Sequence, residues 1–150
     1  MRDYTKIEAW KLVDDLTVAI YQATKIFPRE ETYGITSQIR RAACSVPANI
    51  VEGSSRESQK DYLHFLCIAR GSLSETQYFV YLSRRLGYLP EADAESLISQ
   101  TKQTFACLHG LIKAVEKETE KFARTVAMLT SLLVISLSSR SLWSCSSIVP

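Results

Sequence analysis

Glycine and proline are scarce in this chain, whose 150 residues include five of the former and four of the latter. Because turns draw heavily on these two residue types, so small a supply indicates few turns and long secondary-structure elements. A domain of this length can bury roughly two thirds of the surface that its unfolded chain exposes. Its stability therefore needs no disulfide and no metal.

The sequence also lacks the common catalytic motifs. Its two histidines, His64 and His109, do not have the spacing of a zinc hydrolase, and neither a glycine-rich phosphate loop nor a G-x-S-x-G motif occurs. The adjacent Asp14 and Asp15 would point about 100° apart on a helix, so they cannot act together. We therefore predict a protein that is not an enzyme and that has no catalytic residue, no metal and no cofactor.

Cysteine pairs and membrane spans are absent from the pattern as well. The four cysteines are widely separated and include no C-x-x-C pair, which predicts free thiols in a reducing, cytoplasmic setting: Cys44, Cys67, Cys107 and Cys145. The apolar stretch TVAMLTSLLVISLSS is shorter than the 18 or more residues of a typical span. We therefore expect no membrane partner.

Apolar residues recur at three- and four-residue steps through most of the chain, which predicts four helices at about 5–27, 35–53, 59–86 and from Pro90 onward. Ser58 resembles an N-cap and Gly87 a helix terminator. Pro47 should bend or loosen the second helix. Long helices with short links predict an all-α, antiparallel up-and-down four-helix bundle over residues 1–120, followed by a Ser-rich apolar tail, 121–150, that is partly helical or disordered.

The third predicted helix carries apolar residues nearly all round its circumference, in the runs YLHFLCIA and YFVYL. One stripe can face the core of the bundle, and a second stripe needs another cover. A central helix buried on two sides would account for this pattern. The alternative is self-association through an interface that includes aromatic residues of this helix: Tyr62, Phe65, Tyr78, Phe79 and Tyr81.

Positive charge is concentrated in the middle of the chain, where residues 37–88 carry seven basic and four acidic side chains. If the second and third helices pair so that residue n is level with residue 112 minus n, Arg40 and Arg41 lie close to Arg70. Arg56 and Lys60 then crowd the turn between these helices. Such cations either form ion pairs within the bundle or, repeated in an oligomer, bind nucleic-acid phosphates.

Three segments together resemble one bacterial family: MRDYTKIEAWKLV, YGITSQIRRAACSVPANIVEGSSR and DYLHFLCIARGSLSETQYFVYLSRRLGYL. This is the four-helix bundle family first noted as proteins encoded in intervening sequences of 23S ribosomal RNA genes. The resemblance covers about residues 1–118 and is strongest around S-Q-I-R-R-A-A, P-A-N-I-x-E-G and A-R-G-S-L-S-E. The tail matches nothing in the family.

The resemblance implies an antiparallel four-helix bundle that assembles as a homopentameric ring and presents a basic surface to nucleic acid. It implies polar contacts at Arg40, Arg41, Arg56 and Arg70, and it implies that Asn49 and Glu52 organise the turn between the second and third helices. The same superfamily includes the accessory variability determinant of diversity-generating retroelements, which works beside a reverse transcriptase.

Two functions are therefore expected. The first is a non-catalytic, homo-oligomeric accessory protein that binds the backbone of RNA or DNA through a repeated basic surface, with Arg40, Arg41, Arg56, Lys60 and Arg70 as contacts. The alternative is a scaffold whose exposed aromatic surface recruits an enzyme such as a reverse transcriptase.

Overall fold

The computed structural model describes residues 2–142 and, within them, the side chains of residues 2–131. The predicted Cys145 lies outside the described residues. Four α-helices follow one another in the described part: α1 (Glu8–Ala23), α2 (Ile35–Ser55), α3 (Gln59–Arg85) and α4 (Glu91–Leu142). Helices α1 and α2 run antiparallel, since Thr17 contacts Ala43 and Thr24 contacts Arg40. Helices α2 and α3 do so as well, since Ser45 contacts Ser72 and Gly53 lies against Phe65. The all-α, four-helix prediction is confirmed.

Helix α1 is shorter than the predicted 5–27 because a separate 3-10 turn flanks it on each side, at Tyr4–Lys6 and Thr24–Ile26. At the first turn, the Asp3 carboxylate accepts hydrogen bonds from the Thr5 amide (3.1 Å) and hydroxyl (2.6 Å). At the second, Phe27 precedes Pro28 and is extended (φ −65°, ψ 149°), since a residue before proline avoids the helical region.

Helix α2 continues through Pro47, which cannot donate an amide hydrogen bond to the carbonyl of Ala43. The Thr17 hydroxyl of α1 lies 3.2 Å from that carbonyl oxygen and 2.9 Å from the carbonyl oxygen of Val13. A neighbouring helix thus supplies a donor where the proline removes one, and α2 ends at Ser55, two residues beyond the predicted end.

The connections beside α3 follow the sequence prediction. Ser58 caps α3, since its hydroxyl accepts a hydrogen bond from the amide of Asp61 (3.3 Å). Gly87 adopts a positive φ of 73° directly after the helix, where a residue without a Cβ is favoured. Pro90 immediately precedes α4, and its carbonyl accepts the amide of Ala94 at 3.0 Å.

Of the described residues, those up to Val115 form one compact unit and those from Glu116 onward a second. The first unit has one apolar core to which all four helices contribute, including Leu16, Ile39, Leu66 and Leu108. In the second unit the chain is helical to Leu142, and its described side chains from Glu120 to Ser131 are exposed. The domain boundary at residue 120 and the character of the tail stay predictions.

Tyr62 is a core residue, with 2% of its surface exposed. Its ring packs among the buried residues of the bundle, and the guanidinium of Arg2 lies 4.3 Å from its centroid. This position corrects the expectation that Tyr62 belongs to an exposed interface: it lies on the same stripe as Leu66, Ala69 and Leu73, which faces the core.

Candidate nucleic-acid interface

The predicted basic cluster at Arg40, Arg41 and Arg70 does not form. The Ser45 and Ser72 hydroxyl oxygens lie 3.0 Å apart, and a Cβ on Gly53 would meet Phe65 and Tyr62. The serine contact therefore aligns residue n of α2 with about residue 117 minus n of α3. The predicted alignment, with residue 112 minus n, was wrong by five residues. Arg70 is therefore level with residue 47 and lies about 10 Å along the helix axis from the level of Arg40.

Arg40 is anchored within the bundle. Its Nε donates to the Thr24 hydroxyl at 2.8 Å, and its guanidinium lies 4.9 Å from the centroid of the Tyr21 ring. The Cys44 thiol donates to the Tyr21 hydroxyl at 3.3 Å, and this contact, with burial, raises the pKa of Tyr21. Arg40 therefore stacks on a neutral phenol and helps join α1 to α2.

Arg56 is held at the turn between α2 and α3. Its Nη2 forms an ion pair with the Glu52 carboxylate at 2.5 Å, and its guanidinium lies 5.0 Å from the centroid of Phe65. Glu52 thus lies at the turn, as the resemblance implies. Asn49 instead donates to the carbonyl of Ser45 at 2.7 Å, one turn back within α2.

Arg2 also reaches this turn, and sequence reasoning missed it. Its backbone amide donates to the carbonyl of Ser54 (3.0 Å), while its guanidinium donates to the carbonyl of Arg56 (3.1 Å) and to the Gln59 side chain (2.8 Å). These contacts join residues more than fifty positions apart, and no local sequence pattern predicts them. The turn is therefore a rigid structural element in which two arginines are already engaged.

The three remaining cations of the predicted set, and Lys102 of α4, are exposed and form no ion pair with any described residue. Arg41 makes one side-chain hydrogen bond, to the uncharged Gln38 (2.8 Å). Lys60, Arg70 and Lys102 are exposed and make no side-chain hydrogen bond or ion pair with any described residue. An exposed cation without an internal partner keeps its full charge for an external anion.

Helix α3 separates its charges by side. Its two acids, Asp61 and Glu75, lie fourteen residues apart with Ile68 midway, so the three share one line along the helix. A second line, also at seven-residue steps, runs through Lys60, Cys67, Ser74 and Tyr81. Arg70 and Arg85 lie on the two neighbouring lines, one on each side of it. We call the set Lys60, Arg70, Ser74, Tyr78, Tyr81 and Arg85 the α4-side face of α3; it contains no acid.

Helix α4 borders this face and adds a cation that sequence reasoning missed. A groove of about 350 Å³ between the helices is lined by Ser74, Gln77, Tyr78, Tyr81 and Ile98. Lys102 follows Ile98 by one helical turn, so it lies on the same side of α4. The acids nearest the groove on α4 are Glu91, which is ion-paired with Arg84, and the exposed Glu95.

Apart from the buried Tyr62, the predicted interface residues lie on two sides of α3, which meet where the rings of Tyr78 and Phe79 contact each other (centroids 5.6 Å apart). Tyr78 and Tyr81 are 56% and 49% exposed and lie on the α4-side face. Phe65 and Phe79 are half-buried, and Phe65 lies against α2. We call the set Asp61, Phe65, Ile68, Glu75 and Phe79 the α2-side face of α3. Three further apolar residues of α3 pack against the core: Leu63, Phe79 and Leu82. Burial of α3 on more than one side therefore explains part of the apolar surface that one stripe could not account for.

The described residues contain no cluster of three or more His, Cys, Asp or Glu side chains that could hold a metal ion. Burial raises the pKa of the Cys107 thiol, which keeps it in the unreactive protonated form. Within the same part of the chain, no helix is both long and apolar enough to cross a bilayer.

Comparison with known proteins agrees with the motifs. Residues 5–110 match the model of a family described as 23S rRNA-intervening sequence protein. The chain belongs to this family. The resemblance seen in the sequence is thereby confirmed. The matched segment contains all of the α4-side face of α3 as well as Lys102, whereas the tail lies outside it.

This member of the 23S rRNA-intervening sequence family is also similar to a solved structure, a protein of unknown function from the S23 ribosomal protein family of Bacteroides thetaiotaomicron. The two share 26% sequence identity with a TM-score of 0.65, over 70% of this chain and 95% of the other. No curated protein matches the chain.

Proposed function

We propose that this protein is a non-catalytic accessory protein that binds nucleic acid and associates with copies of itself. The observation that carries the proposal is the acid-free α4-side face of α3, on which Lys60 and Arg70 are exposed and have no internal partner. Lys102 extends the positive charge onto α4. Cations of this kind bind phosphates and release counterions, so the binding weakens as salt is added.

The structure changes which cations are proposed as contacts. Arg40 and Arg56 already stack on aromatic rings and bond to neighbours inside the bundle. Lys60 and Arg70 remain as the main contacts, Lys102 joins them, and Arg41 is a further contact on the outer side of α2. Repetition of this surface in an oligomer would multiply the number of phosphates held at once.

A double substitution, Lys60→Ala with Arg70→Ala, tests this proposal. Fluorescence anisotropy with a labelled single-stranded RNA across a salt series should show weaker binding. The slope of log K against log salt concentration should be shallower by about 1.4, since each phosphate contact on a single strand contributes roughly 0.7. The matched control is Lys25→Ala with Arg29→Ala, which removes one lysine and one arginine, both exposed, near the end of α1.

The control should bind with the wild-type slope. Equal weakening by both double variants would mean that net charge alone matters, and the proposed surface would be wrong. If the wild-type protein retained no RNA or DNA at low salt, nucleic-acid binding itself would be refuted, and the scaffold that recruits an enzyme such as a reverse transcriptase would be the better reading.

Self-association is proposed through the α2-side face of α3, where Ile68 is 38% exposed and lies one turn after the half-buried Phe65. The resemblance implies a ring of five chains, each of 16.9 kDa. Ile68→Glu should lower the mass measured by light scattering toward that of one chain, because it places a charge in an apolar contact. Val18→Glu, at a 53% exposed position on α1, is the control. An assembled Ile68→Glu variant would rule out this face.

A further inference from the structure

The two exposed tyrosines of α3 lie on the same face as cations that form no ion pair, so apolar ring surface and positive charge are exposed together. Tyr78 is 56% exposed and Tyr81 is 49% exposed. Their neighbours along the helix include Arg70, one turn before the groove residue Ser74, and Arg85, whose guanidinium lies 5.7 Å from the centroid of Tyr81. A partner that covers these rings must therefore also accept positive charge.

We propose that Tyr78 and Tyr81 stack the bases of single-stranded nucleic acid while the surrounding cations hold its phosphates. This inference rests on the proposed function and specifies its ligand: a strand with unpaired bases. Proteins that bind single strands combine aromatic side chains, on which bases stack, with a basic groove that follows the backbone. A duplex keeps its base faces stacked inside the helix and offers the tyrosines nothing to cover.

The groove between α3 and α4 has the size and lining for this role. Its volume is about 350 Å³, and its walls combine the two rings and Ile98 with the polar side chains of Ser74 and Gln77. The polar side chains can exchange hydrogen bonds with base edges or the sugar, and Ile98 supplies an apolar floor beside the rings. Lys102 follows Ile98 by one turn on the same side of α4.

A second copy of the chain docked through the same face is a rival occupant, and charge disfavours it. A ring contact instead joins two unlike faces, and the mass measurement below tests that arrangement. The α4-side face of α3 is acid-free, and Lys102 on α4 adds positive charge beside it, so two such faces brought together would repel each other. A polyanion gains from the same arrangement. The aromatic residues that the sequence placed in one interface therefore divide: Phe65 and Phe79 remain with self-association, whereas Tyr78 and Tyr81 serve the nucleic acid.

The test compares the double variant Tyr78→Ala with Tyr81→Ala against the wild-type full chain, using anisotropy with three probes of equal length: oligouridine, oligothymidine and a blunt-ended RNA duplex. The wild type should prefer the single strands. The variant should lose about 5-fold or more in affinity for them per stacked base and keep its affinity for the duplex. Higher affinity for oligouridine would indicate RNA as the ligand, and higher affinity for oligothymidine would indicate DNA.

Two controls separate stacking from other effects. Tyr78→Phe with Tyr81→Phe keeps the rings and should keep the affinity, and Tyr33→Ala removes a tyrosine that is 92% exposed outside the groove and should change nothing. Thermal unfolding followed by circular dichroism checks that each variant is folded.

Equal losses for single strands and duplex would overturn the stacking role, as would an unchanged affinity in the alanine variant. A fall in the mass of the assembly with no change in single-strand affinity would assign the groove to a second copy. In each of these cases wild-type binding to nucleic acid would still stand, so failure of this inference is distinguishable from failure of the proposed function, in which no probe binds.

Discussion

The two sides of α3 differ in how closely they are packed. Against α2, a Cβ added at Gly53 would lie 2.8 Å from the Phe65 Cβ, and the Ser45 and Ser72 hydroxyls are in contact. Toward α4, the surface opens into a groove, and a Cβ added at Gly71 would meet nothing within 4 Å. The contact with α2 is therefore closely packed, while the side toward α4 leaves a groove open to a ligand.

The pair of glycines on these sides gives the largest expected contrast in stability. Gly53→Ala should lower the free energy of unfolding by about 1–3 kcal/mol, because the added methyl overfills a close helix contact. Gly71→Ala should raise it by up to about 1 kcal/mol, because alanine is the better helix former at an open position. Urea denaturation measures both. Destabilisation of similar size at the two positions would erase the contrast.

Arg2 comes next, since it ties the start of the chain to the α2–α3 turn. Arg2→Ala removes two side-chain hydrogen bonds and the contact with the Tyr62 ring, and it should lower the unfolding free energy by about 1–2 kcal/mol. Arg2→Lys keeps the charge without the planar fork, so it should recover only part of this loss in the same denaturation experiment. Full recovery by lysine would show that charge alone acts there.

The smallest effect on stability is expected at Ser58, the N-cap of α3. Ser58→Ala should lower the unfolding free energy by about 1 kcal/mol, because the amide of Asp61 loses its side-chain acceptor. Ser58→Asp keeps an acceptor and should be close to the wild type. If alanine and aspartate had the same stability, the cap would make no net contribution.

Much of the fold was predictable from local signals. The periodicity of apolar residues, the cap at Ser58 and the terminator at Gly87 each act over a few residues, and each is found where the sequence predicts it. The ends of α1 were wrong by a few residues because hydrogen bonds of Asp3 and a proline at 28 convert the flanks into 3-10 turns. Periodicity carries no information on such side-chain contacts.

The candidate site was less predictable, because it depends on how two helices are aligned. An error of five residues in the α2–α3 register removed the predicted cluster of Arg40, Arg41 and Arg70. The sequence of α3 did contain a signal for the α4-side face: at seven-residue spacing, its acidic residues and its basic residues fall on separate lines along the helix. The contribution of Lys102 needed the position of α4, which the sequence of α3 does not contain.

The most direct test of the account is the effect of two single substitutions on binding of labelled single-stranded RNA at one low salt concentration. The account predicts that Arg70→Ala weakens binding, because Arg70 is exposed and unpaired on the α4-side face, whereas Arg40→Ala leaves it nearly unchanged, because that guanidinium is held by Thr24 and Tyr21. Weaker binding after Arg40→Ala in a folded protein, with none after Arg70→Ala, would contradict it.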